Sequence, residues 1–408
     1  MKITCVGGGP AGLYFAISAA LRDGGHDVTV VDRDPPGATY GFGVVYWDNL
    51  LDTLYRNDAE SARKLRAASV VWQEQQIRLR GRPSYLGGYG YSVGRAALLE
   101  ILTQRALDLG VDVRHGEEIT DLENVPPADL VVVADGANSR VRGLAGDAFG
   151  TQVSVGANPY AWLGTDAVFR SFVFDFVETP VGWVWCHAYP SSAGTSTFIV
   201  ECQQSTWDAL GLGQATDAET IALLEKLFAG VLRGHNLFSS TRGEPTQWRH
   251  FLEVRNERWY HDNMVLMGDA AHTTHFTIGS GTRLACIDAV ALAQNLHDHG
   301  DDLQTALNRY DRTRRRAMAR TQASARTSMA WFERVDRYTD RDTVEFSAAM
   351  CGRKGSLPPW RYRAHEAHRF APVRTVHRWY DTGRRSYLAA RRGEPLPGGR
   401  LLSRVGPR

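Results

Sequence analysis

The first residues able to carry chemistry form a glycine-rich run near the start of the chain, from Gly7 to Gly12. Its spacing is GxGxxG, and it also contains Pro10 and Ala11. In such a loop Gly7 permits a tight turn, Gly9 lets the backbone approach a pyrophosphate, and Gly12 lets a helix pack closely on a strand. The run therefore predicts a dinucleotide site, with a purely structural glycine turn as the alternative.

A carboxylate at Asp32 supports the dinucleotide interpretation. It ends the second predicted strand, about 20 residues after the glycines, where an acidic side chain accepts hydrogen bonds from a ribose hydroxyl. Arg33 follows directly and is included among the predicted cofactor-binding residues. These positions do not distinguish FAD from NAD, because both cofactors carry a ribose and a pyrophosphate.

A second motif, far along the chain, favours FAD. Asp269 lies in the run Met267–His272 after an apolar strand, and a carboxylate there can hold a hydroxyl of the flavin's ribityl chain, which NAD lacks. Gly279, Gly281 and Thr282 then open a helix, whose N-terminal amides and dipole favour a negatively charged group. The alternative is a solvated turn between strand and helix.

Two further positions complete the predicted cofactor site. Asp135 ends another predicted parallel strand, in the run Asp135–Ser139, and Arg95 opens a helix with a cation able to meet a pyrophosphate. Each signal is weak by itself. Four such elements in this order predict non-covalently bound FAD.

The elements that must position these residues change in type along the chain. Short apolar strands and helices alternate at first, which indicates a parallel, doubly wound sheet. Strands with alternating aromatic residues follow, and the α/β pattern returns at Met264. We therefore predict an α/β, Rossmann-like FAD-binding domain with an inserted, largely antiparallel β-sheet substrate domain and C-terminal helices. The predicted segments are the first part of the FAD-binding domain (1–150), the inserted sheet domain (151–255), the rest of the FAD-binding domain with a long helix (256–335) and a C-terminal extension (336–408).

With these motifs the chain resembles the group A FAD-dependent aromatic hydroxylases, the class of para-hydroxybenzoate hydroxylase, over roughly residues 1–335. Within that class it is most similar to the salicylyl-CoA and anthraniloyl-CoA hydroxylases and to the violacein-pathway hydroxylase of a tryptophan-derived substrate. Phe276 and Arg283 stand where the broader class usually has proline and asparagine. The strings that carry the closer resemblance are Tyr40–Val45, Trp162–Thr165, His187–Tyr189, Ser196–Cys202 and His275–Thr282.

The resemblance implies an enzyme that uses FAD, NADPH or NADH, and dioxygen to hydroxylate an electron-rich aromatic ring. The protein must then exclude water, and a side chain can take a proton from the ring substituent. His275 and His187 are the candidate catalytic residues, because imidazole titrates close to neutrality. The alternative is that each histidine only hydrogen-bonds within the fold. The aromatic run of Phe172, Phe174 and Phe176 is expected to be ordinary sheet core.

The preferred substrate implied by the closer resemblance is a salicylyl- or anthraniloyl-type ring, presented as a CoA or carrier-protein thioester. An indole derived from tryptophan is the alternative, since Lys354–Pro359 is similar to the violacein-pathway enzyme. A flavin-dependent halogenase is a rival, because Trp183–Trp185 begins like its WxWxIP motif. The residues that follow are Cys186-His187-Ala188, however, without the Ile-Pro of that motif, and no lysine lies on a strand where the halogenase lysine is expected. A reductase and a non-enzymatic flavin-binding regulator are the other rivals.

Composition excludes several classes of function. A net charge of +2, with 43% hydrophobic and 23% charged residues, is that of an ordinary globular protein, so neither nucleic acid nor membrane is an expected partner. Five cysteines without CxxC spacing argue against a disulfide framework or a metal site. With no leader and no apolar run long enough to span a bilayer, we expect a cytoplasmic protein.

The chain from Arg361 to Arg392 is rich in arginine and poor in acids. Such runs are usually a solvated face or a flexible end. The alternative is that some of these arginines meet the phosphates of a CoA or carrier-bound substrate. The sequence leaves the oligomeric state open.

Overall fold

The computed structural model describes residues 1–39, 41–239, 246–353 and 359–394. Two β-sheets and a set of helices account for most of these residues. The strands are β1 (Lys2–Val6), β2 (Asp27–Asp32), β3 (Gly43–Tyr46), β4 (Val70–Leu79), β5 (Arg82–Gly94), β6 (Asp112–His115), β7 (Leu130–Val133), β8 (Thr151–Thr165), β9 (Phe172–Thr179), β10 (Gly182–Pro190), β11 (Ser196–Cys202), β12 (Leu237–Phe238), β13 (Trp248–Asn256), β14 (Tyr260–His261) and β15 (Met264–Leu266). The helices are α1 (Pro10–Arg22), α2 (Asp48–Asn57), α3 (Ala59–Ala68), α4 (Arg95–Asp108), α5 (Arg140–Leu144), α6 (Gln204–Ala209), α7 (Asp217–Leu227), α8 (Ala229–Leu232), α9 (Gly281–Asp298), α10 (Leu303–Glu333), α11 (Thr343–Gly352), α12 (Pro359–Ala367) and α13 (Ala371–Arg391).

The first sheet is the nucleotide-binding sheet. Its strand order is β14-β15-β7-β1-β2-β6, and every neighbouring pair except β14 with β15 is parallel. The parallel strands are almost continuously apolar because both faces are covered; Ile3, Val30, Val132 and Val265 are fully buried. Helices α1 and α9 pack against each other in the layer beside this sheet. This part of the chain has the predicted doubly wound α/β architecture.

The second sheet is larger and mostly antiparallel. Its strand order is β12-β8-β11-β10-β9-β4-β5-β3, with β13 paired to β8, and β4 with β9 is its parallel pair. Strands β3 to β5 come from residues 43–94, within the segment that the sequence assigned to the first part of the FAD-binding domain. These strands were not predicted; in β4, with the sequence VVWQEQQIRL, four consecutive polar residues, Gln73–Gln76, interrupt the apolar pattern that marks a strand.

The aromatic residues of β9 have two different environments. Phe176 is fully buried and packs against Trp185 and, from the C-terminal helices, Phe332 and Phe346. Phe174 instead lies at the edge of His187, with 5.0 Å between ring centroids. The expected sheet core is therefore present at Phe176, whereas Phe174 reaches the candidate site described below.

The arginine-rich end of the chain forms a helix that packs on β5. Arg392 has a nearly buried side chain whose guanidinium pairs with Asp48 and Asp52 at 2.9 and 2.7 Å. Arg378 pairs with Glu74 at 3.1 Å. Several arginines of this segment are therefore used within the fold and do not form a flexible end. The side chains of Arg361 and Arg363 and the string 354–358 lie outside the described residues.

None of the helices that the structure describes combines the length and apolar character needed to cross a membrane.

Candidate active site

Four predicted cofactor motifs meet at one edge of the nucleotide-binding sheet. Strands β15, β7, β1 and β2 are consecutive neighbours and parallel, so their carboxyl ends lie side by side. Asp269, Asp135, the glycine loop and Asp32 follow these four strands in that order. Ligands of open α/β sheets bind outside the carboxyl ends of the strands. The topology thus brings together motifs as far apart in sequence as Gly7 and Asp269.

The glycine loop has the shape needed for a pyrophosphate. Gly7 has a φ of +111°, and an added Cβ would overlap the carbonyl oxygen of Ala134. A Cβ on Gly9 would meet no atom within 4 Å, so open space lies beside the backbone there. Helix α1 begins at Pro10, and no side chain caps its first turn. The unpaired amides and the open space fit a bound phosphate group. Ala11 and Gly12 lie in the first turn and are buried.

Asp32 is fixed in position by the backbone around it. One carboxylate oxygen accepts a hydrogen bond from the amide of Gly8, and the other accepts from the amide of Asp34 at 2.8 Å. Each oxygen retains a lone pair, so the carboxylate can also accept from a ribose hydroxyl. The exposed Arg33 side chain lies 4.0 Å from the Asp34 carboxylate.

Asp269 lies in the turn Gly268–Ala270 after β15. Asp269 is exposed to solvent, yet many protein atoms surround its carboxyl group, and this partial burial raises the pKa of the carboxyl group. Electrostatic interactions with His272 and Arg95 partly offset that rise, so the predicted Arg95 lies close enough to act on Asp269. Asp269 makes no hydrogen bond to any residue in the described ranges. An accessible, unpaired carboxylate at this point fits a ribityl hydroxyl.

Arg142 joins the two motif loops that follow β7 and β15. Its buried guanidinium donates hydrogen bonds of 2.8 Å to the carbonyl oxygens of Ala137 and Ala270. In the first of these loops, one oxygen of Asp135 accepts from the amides of Arg140 and Val141, at the start of α5. The motif of Asp135–Ser139 gave no role for Arg142 in the sequence, because the partner Ala270 lies far along the chain.

A buried ionic cluster of Asp288, His272 and Arg314 lies next to the loop of Asp269. Asp288 of α9 is fully buried and accepts hydrogen bonds from His272 at 2.6 Å and from Arg314 of α10 at 2.7 Å. Burial alone would raise the pKa of Asp288, but His272 and Arg314 outweigh it and hold the pKa below its usual range. The sequence analysis missed this cluster, although an acid in the apolar run around Cys286 is itself a signal.

The start of α9 contains the last predicted cofactor residues. Gly279 has a φ of +62°, and a Cβ there would crowd the ring of Trp47. Helix α9 begins at Gly281 without a side-chain cap, and Thr282 lies in its first turn. An added Cβ on Gly281 would meet nothing within 4 Å. Open space beside uncapped amides again fits an anionic part of a cofactor. The described residues thus fit FAD both at the glycine loop after β1 and at the start of α9.

The two candidate catalytic histidines both contact the ring of Phe276. His187 of β10 is buried, and its ring centroid is 5.5 Å from that of Phe276. His275 is also buried and stacks on Phe276 at 4.3 Å. Tyr160 and Trp162 of β8 contact the same ring at 4.8 and 6.4 Å. We call this group, with Phe174 and Phe332 beside His187, the aromatic chamber.

Glu201 of β11 holds His187 from outside the chamber. The carboxylate is 1% exposed and accepts hydrogen bonds from His187 Nε2 at 3.2 Å, Trp185 Nε1 at 3.1 Å and Asn158 Nδ2 at 2.8 Å. Burial would raise the pKa of Glu201, but the hydrogen bond from His187 and the other neighbours lower it. Burial also lowers the pKa of His187. An ionised carboxylate thus faces a neutral imidazole, and the sequence assigned no role to Glu201.

His275 is held by a chain of buried hydroxyl groups. Its Nδ1 lies 2.8 Å from Thr277 Oγ1, which lies 2.9 Å from Ser328 Oγ. Arg353 Nε donates to Ser328 at 3.0 Å, and Arg353 also donates to the Thr277 carbonyl at 3.0 Å. Burial lowers the pKa of His275 to about 4, so this imidazole is neutral at pH 7.

Arg353 brings a positive charge to the chamber. Burial lowers its pKa to about 10, and its guanidinium carbon lies 5.6 Å from the ring centroid of Phe332. Its charge lowers the pKa of both His187 and His275, so it acts on both imidazoles. No carboxylate among the described residues forms an ion pair with it. The sequence analysis missed Arg353, because its partners Thr277 and Ser328 are far away in sequence.

The arrangement combines groups that fit a dinucleotide, at the strand ends and helix starts, with the aromatic chamber. Residues 275–282 belong to both parts of the site. His275 and Phe276 are part of the aromatic chamber, and Gly279, Gly281 and Thr282 lie at the start of α9, where the cofactor is expected. Aromatic walls bind a flat ring, and the two imidazoles can accept or donate a hydrogen bond at its substituents.

Comparison with known proteins identifies the family. A family model described as an FAD binding domain matches residues 89–325. The chain is 38% identical to salicyloyl-CoA 5-hydroxylase of a Streptomyces species over 347 residues, 83% of this chain and 66% of that enzyme. It is 36% identical to the 3-hydroxy-4-methyl-anthranilyl-(aryl-carrier protein) 5-monooxygenase of Streptosporangium sibiricum over 379 residues, 92% of this chain and 100% of that enzyme. Protodeoxyviolaceinate monooxygenase of Chromobacterium violaceum is 29% identical over 370 residues, 88% of this chain and 96% of that enzyme.

A solved structure shows the same fold. The tetrameric form of 2-methyl-3-hydroxypyridine-5-carboxylic acid oxygenase superposes with a TM-score of 0.68 at 20% identity, covering 86% of this chain and 95% of that one. The resemblance inferred from the glycine and carboxylate motifs is confirmed. The chain belongs to the FAD-binding domain family and is an FAD-dependent monooxygenase.

Proposed function

We propose that this monooxygenase hydroxylates a salicylyl- or anthraniloyl-type ring that is presented as a CoA or carrier-protein thioester, with NADPH or NADH as the reductant. The observation that supports the proposal is the aromatic chamber, in which two buried histidines contact the ring of Phe276. The names of the two relatives above 35% identity, a salicyloyl-CoA hydroxylase and a carrier-bound anthranilyl monooxygenase, support the substrate class.

Each part of the site has a defined task in this reaction. When bound, FAD would take electrons from the nicotinamide and would activate dioxygen. The glycine loop, Asp32 and Asp269 bind and orient the cofactor, while the aromatic side chains around the two buried histidines exclude water from the reacting centre. An imidazole of the chamber takes the proton of the ring hydroxyl or amine, which raises the electron density of the ring carbons.

A thioester handle gives binding energy remote from the ring. That energy can position a small aromatic that is otherwise weakly held. Arg369, Arg384 and Arg391 are exposed on the C-terminal segment and are the candidates for contact with phosphates, whereas Arg378 and Arg392 already pair with acids of the fold. Because exposed charge pairs are screened by salt, affinity for the thioester should fall as ionic strength rises.

The test compares salicylyl-CoA, anthraniloyl-CoA, their carrier-bound forms, the free acids and tryptophan-derived indoles. We expect thioesters to stimulate NAD(P)H oxidation and to show a higher kcat/KM than the matching free acids, with the difference reduced at moderate salt. In labelled dioxygen, one labelled oxygen atom should enter the product. Label drawn from water, or a product that gains hydrogen or halogen, would contradict hydroxylation.

An indole substrate is the second candidate, favoured by the 29% identity to protodeoxyviolaceinate monooxygenase. Equal kcat/KM for thioesters and free acids, or activity confined to indoles, would reject the thioester and leave the hydroxylation intact.

A further inference from the structure

We infer that the two histidines present opposite hydrogen-bonding groups to the aromatic chamber: His187 presents a bare Nδ1 that accepts a proton, and His275 presents an Nε2–H that donates. This inference deepens the proposed function and rests on it for the identity of the substrate. It assigns proton removal to His187 alone and gives Glu201, Thr277, Ser328 and Arg353 positioning roles.

The orientation of His187 follows from Glu201. An ionised carboxylate only accepts hydrogen bonds, so His187 Nε2, at 3.2 Å from it, must carry the proton. Two other donors, Trp185 Nε1 and Asn158 Nδ2, fix the carboxylate and leave it no freedom to turn away. The neutral imidazole then has its lone pair on Nδ1, which forms no hydrogen bond with any residue the structure describes.

The orientation of His275 follows from Arg353 at the far end of its hydrogen-bond chain. A guanidinium only donates, so Ser328 Oγ accepts from Arg353 Nε. The Ser328 hydroxyl is completely buried, and across the described part of the chain its own proton finds one acceptor, Thr277 Oγ1. The Thr277 proton is then directed to His275 Nδ1, the partner at 2.8 Å.

The consequence is that His275 Nδ1 is an acceptor and its proton lies on Nε2. If these hydrogen bonds ran in the opposite direction, His275 Nδ1 would be the donor, and the buried Ser328 hydroxyl would have no acceptor among the described residues. An unsatisfied buried hydroxyl is unfavourable. His275 Nε2 has no partner among those residues either. Both imidazoles are thus Nε2–H tautomers, but they are anchored through different nitrogens and expose different nitrogens.

A ring with a hydroxyl or amine next to a thioester carbonyl matches this pair of groups. In the proton-transfer step, the O–H or N–H bond of the ring substituent breaks, an Nδ1–H bond forms on His187, and the electron pair stays on the substituent. The imidazolium that forms lies against the ionised Glu201, which stabilises it. The thioester carbonyl accepts from His275 Nε2–H. Because both imidazoles contact the Phe276 ring, one small substrate can reach both.

The first test needs no substrate and is read on the unsubstituted protein, with variants used only to assign the signals. In FAD-loaded protein with nitrogen-15-labelled histidine, long-range nitrogen–proton correlations should show both His187 and His275 as Nε2–H tautomers at pH 7, assigned by single His→Gln substitutions. A proton on Nδ1 of either imidazole overturns the inference. This outcome is independent of which substrate is hydroxylated, so it separates the inference from the proposed function.

Positioning is tested by removing one link at a time. Thr277→Val keeps the shape of the side chain but removes the hydroxyl, so His275 should become a mixture of tautomers, while His187 stays unchanged. Thr327→Val, at an exposed position of α10 next to Ser328, is the matched control and should leave both tautomers unchanged. A pure Nε2–H signal for His275 in Thr277→Val would overturn the role of the hydroxyl chain.

The different roles of His187 in proton removal and of His275 in substrate binding are tested with salicylyl-CoA as the probe. His187→Gln should lower kcat about 100-fold, as expected for loss of a general base, with part of the loss restored by a fluorinated salicylyl-CoA whose hydroxyl is more acidic. Glu201→Gln should lower kcat in the same way and shift its pH profile, whereas Glu178→Gln, an exposed acid of β9, should not. His275→Gln should raise KM without rescue by the acidic ring. Acidic-ring rescue of His275→Gln, but not of His187→Gln, would overturn the assignment.

Discussion

Arg142 donates a hydrogen bond of 2.8 Å to the carbonyl oxygen of Ala270, and this contact connects the loops that follow β7 and β15. Because the same guanidinium also holds Ala137, its loss leaves two carbonyl oxygens without their donor. We expect Arg142→Met to lower the free energy of unfolding by about 2–4 kcal/mol and FAD affinity at least about tenfold, a loss of about 1.4 kcal/mol of binding free energy. Urea unfolding and flavin fluorescence measure the two effects. Arg140→Met, which removes an exposed arginine paired with Glu118, is the control and should change neither.

The carboxylate of Asp269 makes no hydrogen bond within the described part of the chain, so its removal should affect the cofactor far more than the fold. Asp269→Ala should lose most of its bound FAD during purification, while the apoprotein keeps its melting temperature. Asp301→Ala, at an exposed position between α9 and α10, should retain FAD. Normal flavin content in Asp269→Ala would show that the second motif does not bind the ribityl chain.

Burial of His275 predicts a pH dependence of stability. Its pKa is about 4 in the folded protein, against the usual 6.5 of an imidazole in the unfolded chain, so between these values the unfolded chain binds more protons. Stability should therefore be fully present above pH 6.5 and fall as the pH drops towards 4, by about 3 kcal/mol from this group. His275→Gln should flatten the pH dependence in that window. His261→Gln, on an exposed strand end, should leave the slope unchanged.

The contact of Arg392 with Asp48 and Asp52 predicts how the C-terminal helix is attached. Burial lowers the pKa of Arg392, but the two acids outweigh it and raise the pKa above its usual value. Since Asp52 is partly exposed, we expect Arg392→Met to cost about 2 kcal/mol rather than the full cost of a buried pair. Denaturation at low and high salt measures it, with the exposed Arg391→Met as the control. Equal stability of the two variants would show that α13 is held by its other contacts.

The cofactor side of the site was largely predictable because its motifs are local. A glycine that must turn tightly, or a carboxylate at a strand end, is recognisable from a few neighbouring residues, and Gly7, Asp32 and Asp269 were found in this way. The parallel strand order then places them together. Arg33 was included by its position in the sequence, and its side chain is exposed beside Asp34.

The chamber was only partly predictable because its contacts join distant parts of the chain. His187 and His275 were candidates by residue type, but the sequence did not show that they share Phe276 as a neighbour. The roles of Glu201 and Arg353 can be recognised only from their hydrogen-bond partners on other parts of the fold. An acid inside the apolar run of β11 was the one available signal for Glu201, since ionisable residues are rarely fully buried without a partner.

The interleaving of the two sheets determines how this enzyme can be recombined with its relatives. The second sheet is drawn from residues 43–94 as well as from 151–256, and the intervening residues return to the nucleotide-binding sheet as β6 and β7. Exchange of the segment 151–256 alone would pair new strands with the old β4 along its contact with β9. A chimera that is to acquire another enzyme's ring specificity must therefore receive these two separate stretches of sequence together. Its crossover points lie before β3, at the direct junction of β5 with α4, before β8 and after β13.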